Sequence, residues 1–204
     1  MIYGEINMAR KTQISKDIIL QVALEMLIEK GYASINIKTL AEKIGCSTQP
    51  IVWQFDNMEG VRNALADYAL AYAEQKMTPK SNDPIEAFKQ VGRAYIELAM
   101  HETNLFKFLY LEKVKAPCPI HLEEIITSKN NTEMIKAIAN YLSLSEEAVG
   151  VYLRDTIIYT HGIATLIATG GIESLEEEVM KIIDQAADAF LLKAGVSMDG
   201  IPNG

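Results

Sequence analysis

The most constraining feature of the sequence is a twelve-residue stretch, Leu40-Ala41-Glu42-Lys43-Ile44-Gly45-Cys46-Ser47-Thr48-Gln49-Pro50-Ile51. It holds a small residue at Ala41, a glycine four positions later, and an apolar residue six positions after that. Two short helices that cross at about 90–120° around a three- or four-residue turn need such an arrangement. Ala41 lets the second helix approach closely, Gly45 supplies the left-handed conformation of the turn, and Leu40, Ile44, Cys46 and Ile51 are expected to pack inward. The second helix then presents Thr48, Gln49, Val52 or Trp53, and Gln54 outward. Hydroxyls and amides on such a face suit base edges and phosphates in a major groove.

The rest of the chain reads as helical from end to end, so the expected fold class is all-α. Ser15 caps a first helix with Asp17 in its first turn. Its apolar positions are Ile18, Ile19, Val22, Ala23, Met26 and Leu27, and Lys30 and an αL Gly31 close it. Asn36 caps the second helix, and Ser47 caps a third that runs to Gln54 or Phe55, with Pro50 tolerated in its first turn. Asp56 and Glu59 read as a capping box for a long fourth helix through Val61, Leu65, Tyr68, Ala69 and Tyr72 toward Met77. A linker spans 78–83, after which Asp83 caps and Pro84 opens a fifth helix with Ile85, Phe88, Val91, Tyr95 and Leu98 on one stripe. Thr103 is expected to cap a sixth helix through Lys115. Two shorter ones follow the break at Pro117 and Pro119, over about 120–128 and 132–142, separated by Lys129-Asn130-Asn131. The last two helices start at Ser145 and at a Ser174/Glu177 capping box, and close at Gly170-Gly171 and at Lys193 with Gly195.

Charge divides unevenly along the chain. The 204 residues carry 19 Lys plus Arg against 27 Asp plus Glu, an excess that argues against a nucleic-acid partner for the chain as a whole. Residues 1–60 contribute only a single net negative charge to that total, so the acid load sits in the remainder. Apolar runs are broken long before the ~20 residues that span a bilayer, so no membrane segment is expected. Nothing near Met1 resembles a secretory signal, and Cys46 and Cys118 form no spaced framework, which together point to a reducing, cytoplasmic setting.

The first quarter of the chain resembles the DNA-binding module of the TetR/AcrR family of bacterial transcription regulators. Ile19 through Lys30-Gly31-Tyr32 is similar to that family's first helix and its exit. Ile37-Lys38-Thr39-Leu40-Ala41 and Gly45-Cys46-Ser47 are similar to the second helix and turn, and Trp53-Gln54-Phe55 to the aromatic ending before the fourth helix. Tyr159-Thr160-His161-Gly162-Ile163-Ala164-Thr165-Leu166-Ile167 is similar to a segment of the dimerisation helix in one branch. The resemblance implies a flexible arm over 1–13, a three-helix module over 14–60, a helical bundle for effector binding and dimerisation over 61–195, and a tail over 196–204. It implies contact with operator DNA by Lys38, Thr39, Ser47, Thr48, Gln49, Pro50, Trp53 and Gln54. Three of the family's usual DNA contacts are changed, to Val52, Gln54 and Met58. Phosphate binding then falls more to Arg10, Lys11, Lys16, Lys38, Trp53 and the amides at helix starts. Lys38 fits that role, because a cation in a helix's first turn opposes the macrodipole unless a phosphate offsets it. Trp53 can equally cover the core.

For the larger part, the implied role is a regulator, in the commoner case a repressor, released from its operator by a small molecule. The candidate effector lining is Tyr95, Met100, His101, Phe106, Phe108, Tyr110, Tyr141, Tyr159 and His161, though Met and aromatic residues at helical spacing also serve as ordinary core. A homodimer is expected through the two last helices, whose small residues Gly150, Gly162, Ala164, Ala168, Ala186, Ala187 and Ala189 allow close packing. His101, His121 and His161 are too scattered for a metal, and no cofactor is expected. Two other readings remain: a DNA-binding regulator without a small ligand, and an all-helical enzyme or carrier. The latter needs a catalytic constellation, and no phosphate loop, nucleophile elbow or HExxH motif is present.

Overall fold

The computed structural model describes residues 14–112 and 125–196. Those residues form helices without strands. They divide into two compact units between Leu65 and Ala66, inside the fourth helix.

The first unit is built on three short helices. Helix α1 (Lys16–Lys30) begins where the Ser15 hydroxyl accepts the Ile18 amide, and ends at Gly31. Gly31 has φ 77° and ψ 165°, an extended positive-φ conformation rather than the αL cap expected. The buried stripe of α1 is Ile19, Leu20, Ala23, Leu24, Met26 and Leu27. It is rotated from the one expected, for Ile18 lies outside at 40% exposure and Leu20 and Leu24 lie within.

Helix α2 (Ile37–Ile44) starts with a reciprocal box in which the Asn36 side chain accepts the Lys38 and Thr39 amides and the Thr39 hydroxyl accepts the Asn36 amide. Gly45 ends it in the left-handed region, φ 78° and ψ 35°, as the corner requires. Helix α3 (Gln49–Phe55) follows, flanked by Thr48 rather than Ser47 and with no side-chain cap bond at its start. Leu40 and Ile51 are fully buried where α1, α2 and α3 pack together, while Ile44 and Cys46 are half-buried.

The corner between α3 and α4 (Met58–Lys76) departs from the sequence reading. Asp56 does not cap α4; it ends α3 at φ 63°, and the Asn57 side chain accepts the Gly60 amide instead. Gly60 is demanded there, because a Cβ would overlap the Phe55 carbonyl oxygen.

In the second unit, Asp83 caps α5 (Pro84–His101) through the Ile85 and Glu86 amides, as the sequence indicates. Helix α6 (Thr103–Phe106) is only one turn long, and the chain continues through a wider π turn at Lys107–Leu111. Thr103 does not cap it: its hydroxyl bonds back to the Ala99 carbonyl of α5 at 2.9 Å. Helix α7 (Lys129–Leu142) is capped by Ser128, so Lys129-Asn130-Asn131 form its first turn and not a separator. Helix α8 (Glu146–Ala168) starts at Ser145. Helix α9 (Glu176–Lys193) begins one residue later than expected, where the Glu178 carboxylate accepts the Leu175 amide.

A core of Ile85, Phe88, Ile135, Ile138, Val149, Tyr152, Leu153 and Leu191 joins α5, α7, α8 and α9. Charge reinforces the α5–α9 contact: Lys89, only 8% exposed, reaches Asp188 at 2.5 Å, and Arg93 reaches Asp184 at 2.7 Å. No helix among the described residues is long and apolar enough to cross a membrane. The arm with Arg10 and Lys11, the segment with Cys118 and His121, residues 120–124 of the helix expected over 120–128 and the tail beyond 196 lie outside the described residues. Of the rest of that helix, residues 125 and 126 make a short 3-10 turn and 127 and 128 are not helical, Ser128 serving as the cap of α7.

Candidate nucleic-acid interface

Each side chain of the first unit's exposed face is placed by a local device. The αL turn at Gly45 aims α3 away from α2, and burial of Ile51 and Phe55 fixes its inner face. Ser47, Thr48, Gln49, Val52 and Trp53 are thereby left exposed. Trp53 is 73% exposed, so it does not cover the core. Pro50 is half-buried at the second position of the helix.

Two residues of the expected contact set are engaged within the protein. Thr39 is half-buried; its hydroxyl accepts the Asn36 amide and donates to the Ser34 carbonyl at 2.9 Å. Gln54 donates from its side-chain amide to the Ile14 carbonyl at 2.8 Å, across 40 residues of sequence. Lys38 projects from the first turn of α2 and is exposed. A groove runs beside α3, lined by Ile14, Ser15, Lys16, Gly45, Cys46, Ser47, Gln49, Pro50, Trp53 and Gln54. Sequence reasoning missed the Gln54 bond and the seat of Tyr32, over which the Arg62 guanidinium lies at 4.7 Å. The tyrosine of the Lys30-Gly31-Tyr32 exit thus packs under a cation of α4.

In the second unit, four of the expected effector residues come together. A hydrogen bond of 2.8 Å joins the Tyr95 hydroxyl of α5 and Nδ1 of His161 on α8. The Tyr95 ring meets Phe106 at 5.2 Å and Tyr110 at 5.0 Å, both edge-on. Phe106 also lies 6.4 Å from the His161 ring. Burial pushes the Tyr95 hydroxyl far above its usual range, and pushes Tyr110 up to about 12 with a smaller contribution from the Glu74 carboxylate. The same burial lowers His161, so its imidazole is held neutral.

The other expected members stand elsewhere. His101 is exposed and reaches the Glu176 carboxylate at 3.0 Å. Tyr141 is 56% exposed and donates to Asp83. Tyr159 packs its edge on Phe190, Met100 is half-buried, and Phe108 is fully buried. A further contact had no sequence signal. The Glu102 carboxylate, between α5 and α6, accepts from Tyr72 at 3.1 Å and pairs with Lys76, both on α4. Among the described residues, no group of three or more His, Cys, Asp or Glu side chains could hold a metal.

Comparison with known proteins places this geometry. Residues 19–65 match the model of bacterial regulatory proteins of the tetR family. The chain is 26% identical over 76 residues to the class C tetracycline repressor protein of Escherichia coli, a match that covers 37% of this chain and 35% of that one. It therefore spans about a third of that relative's length. Among solved structures, TetR from Acinetobacter baumannii AYE superposes with a TM-score of 0.62 at 16% identity, covering 89% of this chain and 98% of that one. A variant of the same protein, in complex with minocycline, gives 0.56 at 18% identity, covering 90% and 99%. These likenesses show the fold. From its capped second helix through the glycine corner to the start of α4, residues 19–65 carry the helix-turn-helix module of the tetR family of bacterial regulatory proteins.

Proposed function

We propose that this chain is a sequence-selective regulator that binds duplex operator DNA through α3 and is released by a small-molecule effector. The observation that carries the reading is the exposed edge Thr48-Gln49-Val52-Trp53, set on a corner whose inward residues Leu40 and Ile51 are fully buried. Gln49 offers an amide that pairs with adenine, Thr48 a hydroxyl, and Trp53 a large amphipathic surface. Lys38, Ser47 and Pro50 flank that edge, and Lys38 answers a phosphate beside the first turn of α2.

One helix-turn-helix reads too few base pairs to bind well alone, so a two-fold partner supplies the second half-site. The face for it is apolar: Ile158 and Leu166 of α8 are 43% and 44% exposed with Gly162 exposed between them, and Ile182 of α9 is 38% exposed. Of the small residues expected at this interface, Gly150, Ala164, Ala168 and Ala187 are buried within the chain itself. The dimer face therefore rests on Ile158, Gly162, Leu166, Ile182, Ala186 and Ala189.

For the effector, support comes from the cluster of Tyr95, Phe106, Tyr110 and His161, which offers stacking faces and one buried polar pair. A ligand there acts only by preferring one population of the dimer over the other. The grip of Glu102 on Tyr72 and Lys76 offers a route from the segment holding Phe106 and Tyr110 to α4.

Selection of bound duplexes from a random-sequence pool tests the reading. Enrichment of an inverted repeat supports it, and an unenriched pool refutes it. Thermal-shift screening of aromatic and polyketide-like small molecules, followed by release from the enriched duplex, tests the effector. A chain that binds its duplex but answers to no small molecule would support the regulator that has no such ligand.

A further inference from the structure

Sequence resemblance places Gln54 among the residues that touch DNA, and the structure engages it otherwise. Along α3, Gln49, Val52 and Trp53 are exposed while Ile51 and Phe55 are buried, which leaves Gln54 half-buried at the border of the two faces. From that border its side-chain amide donates to the Ile14 carbonyl at 2.8 Å. Ile14 immediately precedes Ser15, the cap of α1. A second contact ties the same two segments: the Lys16 ammonium lies 5.3 Å over the ring of Phe55, the residue after Gln54. The groove beside α3 is lined both by Ile14, Ser15 and Lys16 and by Gln49, Trp53 and Gln54. The Gln54 bond joins the two segments that line it.

We infer that Gln54 is a positioning residue and not a base reader: its amide holds the first turn of α1 in register with the recognition helix. Lys16 and the amides at the start of α1 then meet the DNA backbone at a fixed distance from Gln49 and Trp53. Cations and helix starts that face phosphate fix orientation without carrying sequence information. The bond to Ile14 takes one of the two N–H donors of the amide and draws the side chain toward α1, away from the exposed edge of Gln49 and Trp53. The inference rests on the proposed DNA-binding role and assigns Gln54 a different part in it.

The test is Gln54→Met, which keeps the length of the side chain and removes the donor, with Gln54→Ala beside it. Both are titrated against the duplex enriched from the random pool and against single-base-pair variants of it, across a salt series. A positioning role predicts about five- to tenfold weaker binding on every duplex, an unchanged order of base preference, and a salt slope smaller by about one contact. In the free protein, amide hydrogen exchange at Ile18–Leu20 should quicken in both variants. Lys16→Ala should reduce the slope in the same way and add little to Gln54→Met. Loss of preference at one base pair, by roughly five- to 150-fold with the slope unchanged, would make Gln54 a reader and overturn the inference. So would unaltered binding together with unaltered exchange. Failure of the wild-type chain to prefer any duplex would refute the regulator reading itself, and this inference with it.

Discussion

Replacing Gly60 with alanine sets two physical expectations of opposite sign against each other. Gly60 lies in the first turn of α4, where helix propensity alone favours alanine by about 1 kcal/mol. The structure forbids the methyl group. It would overlap the Phe55 carbonyl oxygen and stand 3.0 Å from the carbonyl carbon. Relief requires that carbonyl to withdraw by about an ångström, comparable to overpacking shifts that cost about 1–3 kcal/mol. The same oxygen accepts the Asn57 amide at 2.7 Å, a bond whose loss costs about 1 kcal/mol more. Asp56, already at φ 63°, leaves little freedom for the backbone to adjust. The balance is a destabilisation of about 2 kcal/mol despite the propensity gain. Gly92, inside α5 with nothing within 4 Å of a built Cβ, is the matched control and should gain up to about 1 kcal/mol on the same substitution. Urea titration followed by far-ultraviolet circular dichroism reads both. On the proposed DNA-binding role, Gly60→Ala should also weaken duplex binding, because the corner it distorts sets the end of α3. A Gly60→Ala chain as stable as Gly92→Ala would refute the steric argument.

Other expectations follow from the second unit. Asp188→Asn leaves the buried Lys89 ammonium poorly paired and should cost about 2–3 kcal/mol, below the full value for a buried pair because Asp188 is 34% exposed. The double variant Lys89→Met/Asp188→Leu should recover most of that loss in the same urea titration. His161 is held neutral by burial, with its folded pKa below the ordinary 6.5. The unfolded chain therefore binds the proton more readily, and its contribution to stability is complete above pH 6.5 and declines as pH falls below it. Thermal melts of wild type and His161→Gln between pH 8 and pH 5, pH values chosen on the order of the histidine range, should converge toward the acid side. Leu166→Glu places a charge on the exposed apolar face of α8 and should shift the chain to monomer in analytical ultracentrifugation, with loss of inverted-repeat binding.

What could be read from sequence divides along the range of the interactions concerned. Asn36 and Gly45 act within a few residues of themselves, and the start and end of α2 were legible, whereas the Ser47 cap and full burial of Ile44 and Cys46 were not met. Asp83 and Ser145 are legible for the same reason. Adjacent candidates of similar chemistry were not separable: Asp56 and Asn57 are both good caps, and only the tertiary fit of Phe55 and Gly60 decides for Asn57. The polar run Lys129-Asn130-Asn131 lacks an apolar stripe and reads as a break, yet the Ser128 cap makes it a first turn. Long-range contacts left no trace at all. The Gln54–Ile14 bond and the grip of Glu102 on Lys76 arise from the packing of distant segments. The aromatic residues show the same limit, since their types are visible in sequence but the faces that unite Tyr95, Phe106, Tyr110 and His161 and place Tyr141 outside are not.

The central claim is that α3 reads DNA as one half of a two-fold pair. It is tested most directly by titrating the purified chain onto the duplex upstream of its own gene across a salt series, with Gln49→Ala and Lys38→Ala alongside. The account predicts tight binding whose affinity falls steeply with salt. It further predicts that Gln49→Ala narrows the gap between this duplex and a scrambled one, and that Lys38→Ala weakens both equally with a slope smaller by about one. Equal affinity of the wild-type chain for the upstream and scrambled duplexes, unmoved by Gln49→Ala, would contradict it.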